Sequence, residues 1–490
     1  MSKYKKISAA HPDYSSVSST RLGVRAGRNF FWMLVSEGMA KVTIMAMTIY
    51  IARILSPSSY GVYAVAHSVA LYLSALVLFG TGNYGQRQIA QSPGAASAYY
   101  SEIMGLRLIL VSVVFAIFFL VIILLPLPQA RKEIFLAALV LPAGLGLKPD
   151  WVFRGIEKIH YLFFGNLVLA VVLCAGILLT VKGPENTLYA ILFRGGSVVL
   201  ASIVLTGILF RIIPERFKLT FKNSVFHLKE SVFFGFTVVL QAFVNELVIL
   251  IGGIFLTDKT LGFYAAPHRI AVTLAWIGMM FGFGFYPVLS STFVQSSEKF
   301  KKSFLLMVRG SFLIAAPVLL VGMMSATQIV TLLLGQVYEK SGFLMLILLP
   351  CFLIDCLHAT FSFGLMAAGK QKYQTFALSI GFIIMLFSGI VFIPRFLGTG
   401  AACAYLLGKS IYLFILVWVF FKNVGLYFPD LKFFIPLVLT VILGAFPFLL
   451  PVEWMVKAFL SLAVYTAAVF LLKLLSLSQI KELAVKLLPK

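Results

Sequence analysis

Residues 103–126 read IMGLRLILVSVVFAIFFLVIILLP, with Arg107 as their one charged side chain. A helix needs about 20 apolar residues to cross about 30 Å of hydrocarbon, and it satisfies its own backbone polar groups on the way. The run therefore reads as a membrane-spanning helix. Strands that cross a bilayer would alternate apolar and polar residues, and this run does not. Similar segments recur with short breaks at 30–54, 60–83, 134–153, 161–181, 188–213, 232–256, 262–288, 304–324, 343–366, 374–394, 398–421, 433–450 and 455–475. That gives about 14 spans, and an even number returns the chain to its starting side.

Composition agrees. Of 490 residues, 61% are hydrophobic and 12% charged, with a mean hydropathy of +1.00. Soluble domains carry about twice that charge density. The net charge of +23 does not indicate nucleic acid, because the basic residues sit singly between apolar runs. Instead they sort by side. With the amino end inside, the cytoplasmic segments hold about 26 Lys and Arg and the opposite loops about 8, a strong positive-inside bias that puts both termini in the cytoplasm. The first 28 residues are Ser-rich and basic without an apolar core, so no cleavable signal is expected. Cys174, Cys351, Cys356 and Cys403 all lie in apolar stretches without metal-ligand spacing and read as packing residues.

An internal repeat organises the spans. Leu55-Ser-Pro-Ser-Ser-Tyr-Gly61-Val-Tyr63-Ala64 through His67 and Ala70 matches Leu256-Thr-Asp-Lys-Thr-Leu-Gly262-Phe-Tyr264-Ala265 through His268 and Ala271 at one constant offset. Each block joins the first span of a six-span unit to its second. A weaker echo pairs Leu141-Pro142 and Gly155–Lys158 with Leu349-Pro350 and Gly369–Lys372. Six spans preserve orientation, so the halves form a parallel repeat with a pseudo-two-fold axis along the membrane normal. The expected fold is an all-α integral membrane protein with two six-helix lobes and two appended helices. Its parts are a cytoplasmic segment (1–28), an N-terminal lobe (29–213), a linker (214–231), a C-terminal lobe (232–421), spans 13 and 14 (422–475) and a cytoplasmic tail (476–490). No loop is long enough to fold as a domain. The segment 325–342 reads as an amphipathic stretch at the outer surface.

Arg53–Tyr63, Phe79-Gly80 with Gln86–Ala90, Asp150-Trp151-Val-Phe153-Arg154-Gly155-Ile-Glu157-Lys158 and Gly262–Ile270 resemble the signatures of polysaccharide and O-antigen flippases. These belong to the multidrug/oligosaccharidyl-lipid/polysaccharide exporter superfamily. The resemblance covers nearly the whole chain, and the Trp-Phe-Arg-Gly-Glu-Lys cluster is its most specific part. It implies a two-lobed transporter, not an enzyme, in a bacterial inner membrane. Its substrate would be a polyprenyl-diphosphate-linked oligosaccharide of O-antigen, capsule or exopolysaccharide type, moved from cytoplasm to periplasm beside glycosyltransferases and a polymerase. Fold alone does not choose the substrate.

Ionisable groups inside a span are costly and therefore informative. Arg194, Arg269 and Lys409 are the candidates for a cationic cavity wall that would bind diphosphate oxygens. The opposing reading is an ion pair with Glu246 or Asp355 that holds helices together. Those two carboxylates are also candidates for coupling to H+ or Na+. Glu37 and Lys41, four residues apart, can pair on one helix face. His67 and His268, at matching repeat positions, read as packing residues. Gly278, Gly282 and Gly284 with Pro287 would bend the eighth span, and Pro142 and Pro350 would kink the fourth span of each half. No catalytic group, metal site or cofactor is expected. The alternatives are a cation-coupled drug exporter, which would favour an anionic aromatic cavity, a glycan polymerase or ligase, which would need acidic or His-bearing outer loops, and a solute symporter with unwound mid-span helices.

Overall fold

The computed structural model describes residues 19–213, 218–425, 431–472 and 474. Residues 1–18 of the amino-terminal segment, 214–217 of the linker and the whole tail 476–490 lie outside the described residues. Within them every regular element is helical, and twelve helical segments are long and apolar enough to cross a membrane. The chain divides into two compact units, one ending at Glu246 and the other beginning at Leu247.

The first unit holds α1 (Ser19–Ile54), α2 (Pro57–Leu78), α3 (Thr81–Gln91), α4 (Ala96–Leu124), α5 (Gln129–Ala137), α6 (Val140–Leu147), α7 (Asp150–Gly155), α8 (Leu162–Thr180), α9 (Thr187–Ile212) and most of α10 (Ser224–Phe255). Its core is the fourth apolar segment, where α6 packs against α2, α4 and α9. Small residues let these backbones meet. A Cβ on Gly195 would lie 2.7 Å from the amide nitrogen of Leu141, and Ser202 Oγ donates to the carbonyl of Gly144 at 2.8 Å. The chain breaks at Ala138 and Leu139, just before the turn that carries Pro142.

The second unit continues with α11 (Asp258–Gln295), α12 (Ser297–Met324), α13 (Ala326–Leu334), α14 (Ser341–Leu348), α15 (Pro350–Ala367), α16 (Lys372–Val424), α17 (Leu431–Ala445) and α18 (Trp454–Leu471). Here α15 is the central element, packed by α11, α12 and α16, and Leu349-Pro350 breaks α14 from α15. α13 buries Ala326, Val330 and Leu334, one stripe of an amphipathic helix.

At 1.5 Å per residue α16 would be about 80 Å long, far more than a bilayer needs. It is two segments. Leu397 has φ 53° and ψ −131°, and the contacts on either side run antiparallel: Gly381 lies against Tyr412, Gly408 against Met385 and Gly400 against Phe392. The expected count of about 14 spans differs from the observed twelve segments at this hairpin, which counts once, and at Phe433–Leu449, which is shorter than the others.

The repeat blocks have matching local structure. Ser56 caps α2 by accepting the Ser59 amide at 3.2 Å, with Pro57 at the first helical position, and Thr257 caps α11 by accepting the Thr260 amide at 3.3 Å. Tyr63 stacks on His67 at 5.8 Å, as Tyr264 lies against His268 at 5.3 Å. The second echo needs a corrected register. The Lys158 amide donates to Phe153 O at 2.9 Å around Glu157 (φ 57°), and the Lys370 amide to Leu365 O at 2.8 Å around Gly369 (φ 67°). These are equivalent Schellman turns, so Gly369 corresponds to Glu157 and not to Gly155. Gly155 is glycine for a different reason: a Cβ there would meet Ile89 at 2.9 Å.

Gly278 and Gly282 serve packing. α11 continues through both and through Pro287, while a Cβ on Gly278 would lie 2.8 Å from Cys356 Cα and one on Gly282 2.3 Å from the Phe363 ring. The Gly278→Val variant is expected to lose about 1–3 kcal/mol through overpacking, read as a lower melting temperature of the detergent-solubilised protein. An unchanged melting temperature would mean that α11 and α15 separate freely there.

Candidate functional site

Charged side chains gather in each unit. In the first, Arg154 Nη2 pairs with Glu37 Oε1 at 2.6 Å and with Asp150 Oδ2 at 3.5 Å. Lys41, one turn beyond Glu37 on α1, has Arg194, Glu37 and Lys148 as its charged neighbours. Lys148 Nζ donates to Asn166 Oδ1 at 3.4 Å, and Asn166 Nδ2 donates to Ser36 Oγ at 2.9 Å. α1, the α6–α7 junction, α8 and α9 thus meet in one polar cluster. Among the described residues, the cluster brings together four cations, Lys41, Lys148, Arg154 and Arg194, and two carboxylates, Glu37 and Asp150. These side chains are partly exposed, Arg154 to 35% and Asp150 to 29%. A group with surplus positive charge inside an apolar bundle is suited to an anion.

The cluster has a buried support. Arg107, the charge inside the run that opened the sequence, is 2% exposed. Its Nε donates to Thr81 Oγ1 at 2.9 Å, and its Nη1 to the carbonyls of Gly146 and Lys148 at 3.2 Å each. It also lies 5.6 Å from the centre of the Trp151 ring. Those carbonyls are at the C-terminal end of α6, where the helix leaves acceptors unsatisfied. Arg107 therefore fixes the turn that aims Lys148, Asp150 and Arg154.

In the second unit Lys409 Nζ and Asp355 Oδ1 form a buried ion pair at 2.7 Å. Tyr405 lies beside the Lys409 ammonium, 5.4 Å away. His358, one turn from Asp355 on α15, bonds Tyr412 and, at 3.1 Å, Ser362. His268 packs against Tyr264 and Tyr405. Arg269 follows on α11 and is 8% exposed.

Sequence-derived candidates are thus distributed as follows. Arg194 joins Lys41 and Glu37 in the first unit, whose acid has its 2.6 Å ion pair with Arg154 as well as the neighbour four residues on. Lys409 meets Asp355, the ion-pair reading. Glu246 is 3% exposed and accepts a hydrogen bond from Ser68 Oγ at 2.7 Å. A second buried acid, Glu102, was not singled out from sequence. Its Oε2 meets His227 Nε2 at 2.5 Å and its Oε1 accepts from Asn223 at 3.3 Å, with Tyr84 on the other ring nitrogen of His227. This joins the start of α10 to α3 and α4. Glu102 and His227 each lie at the edge of a span, where charged residues are ordinary, so only their contact marks them. Arg107 was not singled out either, although a lone charge in an apolar run was the signal that could have found it.

The sequence matches the family described as polysaccharide biosynthesis protein over residues 26–293, more than half of the chain. An Escherichia coli (strain K12) protein described as "Putative O-antigen transporter" is 21% identical over 387 residues, covering 76% of this chain and 90% of that protein. Among solved structures, the lipid II flippase MurJ in an inward closed conformation superposes with a TM-score of 0.73 at 12% identity, over 89% of this chain and 97% of that one. An inward-facing multidrug resistance MATE family transporter of the MOP superfamily gives 0.63 at 14% identity, over 81% and 98%. These likenesses give the fold, and the match to residues 26–293 gives the family. The chain belongs to the polysaccharide biosynthesis protein family and is a multi-pass helical membrane protein.

Proposed function

We propose that the protein flips a polyprenyl-diphosphate-linked oligosaccharide from the cytoplasmic to the periplasmic face of a bacterial inner membrane. The carrying observation is the partly exposed cluster of Lys41, Lys148, Arg154 and Arg194, whose cations outnumber Glu37 and Asp150. A diphosphate offers several acceptor oxygens and negative charge, which guanidinium and ammonium donors bind through charge-assisted hydrogen bonds. The sugars would follow the headgroup through a polar path while the polyprenyl tail stays in lipid. The two halves then act as the lobes of an alternating-access transporter. Arg269 and Lys409 are the proposed substrate cations of the second unit. Glu246 and Asp355 are the proposed positions for H+ or Na+ coupling. The positive-inside balance supports cytoplasmic termini. The family's role in polysaccharide biosynthesis supports glycosyltransferases and a polymerase as partners.

A MATE-type drug exporter shares the fold. A cationic drug would be repelled by surplus cations, which favours the anionic substrate. The test is deletion of the gene in its host, with lipid-linked oligosaccharide measured on each face of the inner membrane. Build-up on the cytoplasmic face with loss of surface glycan is the expected result. An unaltered distribution in a strain lacking any second flippase would sink the proposal and bring the drug exporter forward.

A further inference from the structure

The start of α10 is held by the first unit in a way that its repeat counterpart is not. At the constant offset of the repeat, α10 corresponds to α1 and Phe233 takes the place of Trp32. Trp32 packs on His160 and Phe163, and Ser36 bonds Asn166, so α1 lies along α8. Phe233 is instead 47% exposed. The residues that α10 buries here are Ser224, His227, Ser231 and Gly235, one stripe at helical spacing. That stripe meets α3 and α4. A Cβ on Gly80 would overlap the Gly235 amide nitrogen, and one on Gly105 would overlap the Thr220 carbonyl just ahead of α10. Backbones therefore touch at both places with no side chain between them.

Between these backbone contacts sits a titratable pair. His227 Nε2 meets Glu102 Oε2 at 2.5 Å, with side chains 1% and 11% exposed. Tyr84 Oη lies 3.4 Å from Nδ1, and the Tyr99 ring is edge-on to the imidazole at 6.1 Å. Asn223 donates to Glu102 Oε1 at 3.3 Å. Among the described residues, the ionisable groups that the ring faces are thus Tyr84 of α3 and Tyr99 and Glu102 of α4, while Lys229 and Glu230 on α10 itself are exposed. Tyrosines stay neutral near pH 7, whereas histidine ordinarily changes charge between pH 5 and 8. With the imidazole protonated, the contact is an ion pair with a charge-assisted hydrogen bond. With the imidazole neutral, a buried carboxylate faces a neutral donor, which favours undocking into water.

We propose that His227 and Glu102 form a proton-sensitive latch, which fastens the start of α10 to α3 and α4 when the imidazole is charged and loosens when it is neutral. The charge balance of the sequence, with Lys218, Lys222 and Lys229 here, puts this end of α10 toward the cytoplasm. The latch then reads cytoplasmic pH. Because α10 begins in the first unit and ends in the second, its release frees a segment that runs into both. None of the residues proposed for substrate or coupling ion takes part, so the latch does not depend on which molecule is transported.

The test is hydrogen–deuterium exchange of the full-length protein in lipid nanodiscs without substrate, at pH 6 and pH 8, with each rate corrected for the intrinsic effect of pH. Protection of residues 224–235 is expected to be about fivefold higher at pH 6, because a charge-assisted hydrogen bond exceeds a neutral one by about 1 kcal/mol. Protection of α15 should change little. His227→Gln and Glu102→Gln should each abolish the difference. If either variant fails to fold, His227→Leu/Glu102→Leu replaces the pair by apolar side chains and should dock equally at both pH values. Equal protection of the wild type at pH 6 and pH 8 would overturn the latch, as would a difference that survives in His227→Gln or in the double variant. With no substrate present, either result leaves the flippase proposal to its own test.

Discussion

The Lys409→Met variant is expected to be destabilised by about 3–5 kcal/mol, because it leaves the Asp355 carboxylate uncompensated in a buried site. Lys409 and Asp355 meet at 2.7 Å with side chains only 6% and 8% exposed, and neither can turn to water without moving its helix. The measurement is the fraction of detergent-solubilised protein that remains monodisperse on heating. The double variant Lys409→Met/Asp355→Leu should recover most of the loss, since a buried pair replaced by apolar side chains of similar volume is often neutral or stabilising. Transport by that double variant then separates two roles. Wild-type transport would make the pair a structural tie between α15 and α16. Loss of transport by a stable protein would place the pair on the substrate or ion path. A stable Lys409→Met protein would contradict the buried ion pair itself.

Charge reversal at Arg194 is expected to abolish surface glycan without unfolding the protein. Arg194 is partly exposed and belongs to the cluster with Lys41, Lys148 and Arg154, where Glu37 and Asp150 already neutralise part of the charge. One charge-assisted hydrogen bond to phosphate is worth about 1.5–3 kcal/mol, about ten- to a hundredfold in affinity. Reversal adds repulsion to that loss. Surface glycan and the lipid-linked precursor on the inner leaflet would be measured at matched membrane levels of the protein. Arg194→Lys should retain partial transport, because an ammonium keeps the charge and loses the planar fork. Full transport by Arg194→Glu would remove the first-unit cluster from the substrate path.

The helices were readable because the bilayer acts as a solvent on every residue of a span, so hydropathy alone reveals segments such as 103–126. The repeat was readable at Ser56/Thr257 and at Tyr63-His67/Tyr264-His268, where local caps and one-turn side-chain contacts are set within a few residues. It slipped at Gly155 because a glycine required for packing and a glycine required for a left-handed turn look alike as letters. Likewise Gly278 and Gly282 suggested points of bending, and only the fold shows that the helix continues through them and places Cys356 and Phe363 against the missing side chains.

Charged residues inside the spans were legible one by one, and their partners only as alternatives, such as Glu246 or Asp355 for Lys409. Lys409 finds Asp355 across 54 residues, Arg154 finds Glu37 across 117 and His227 finds Glu102 across 125. Each choice depends on the rotation and depth of two helices whose faces are set by packing. Arg107 was not among the candidates although it is the lone charge of an apolar run, and only the folded α6–α7 junction showed that it holds the carbonyls of Gly146 and Lys148. The sequence by itself determined a multi-pass helical chain with a repeated plan, because hydrophobic length and helix caps are short-range properties. Tertiary structure decided which charges meet, because a buried charge is answered by whatever the neighbouring helix brings within about 4 Å.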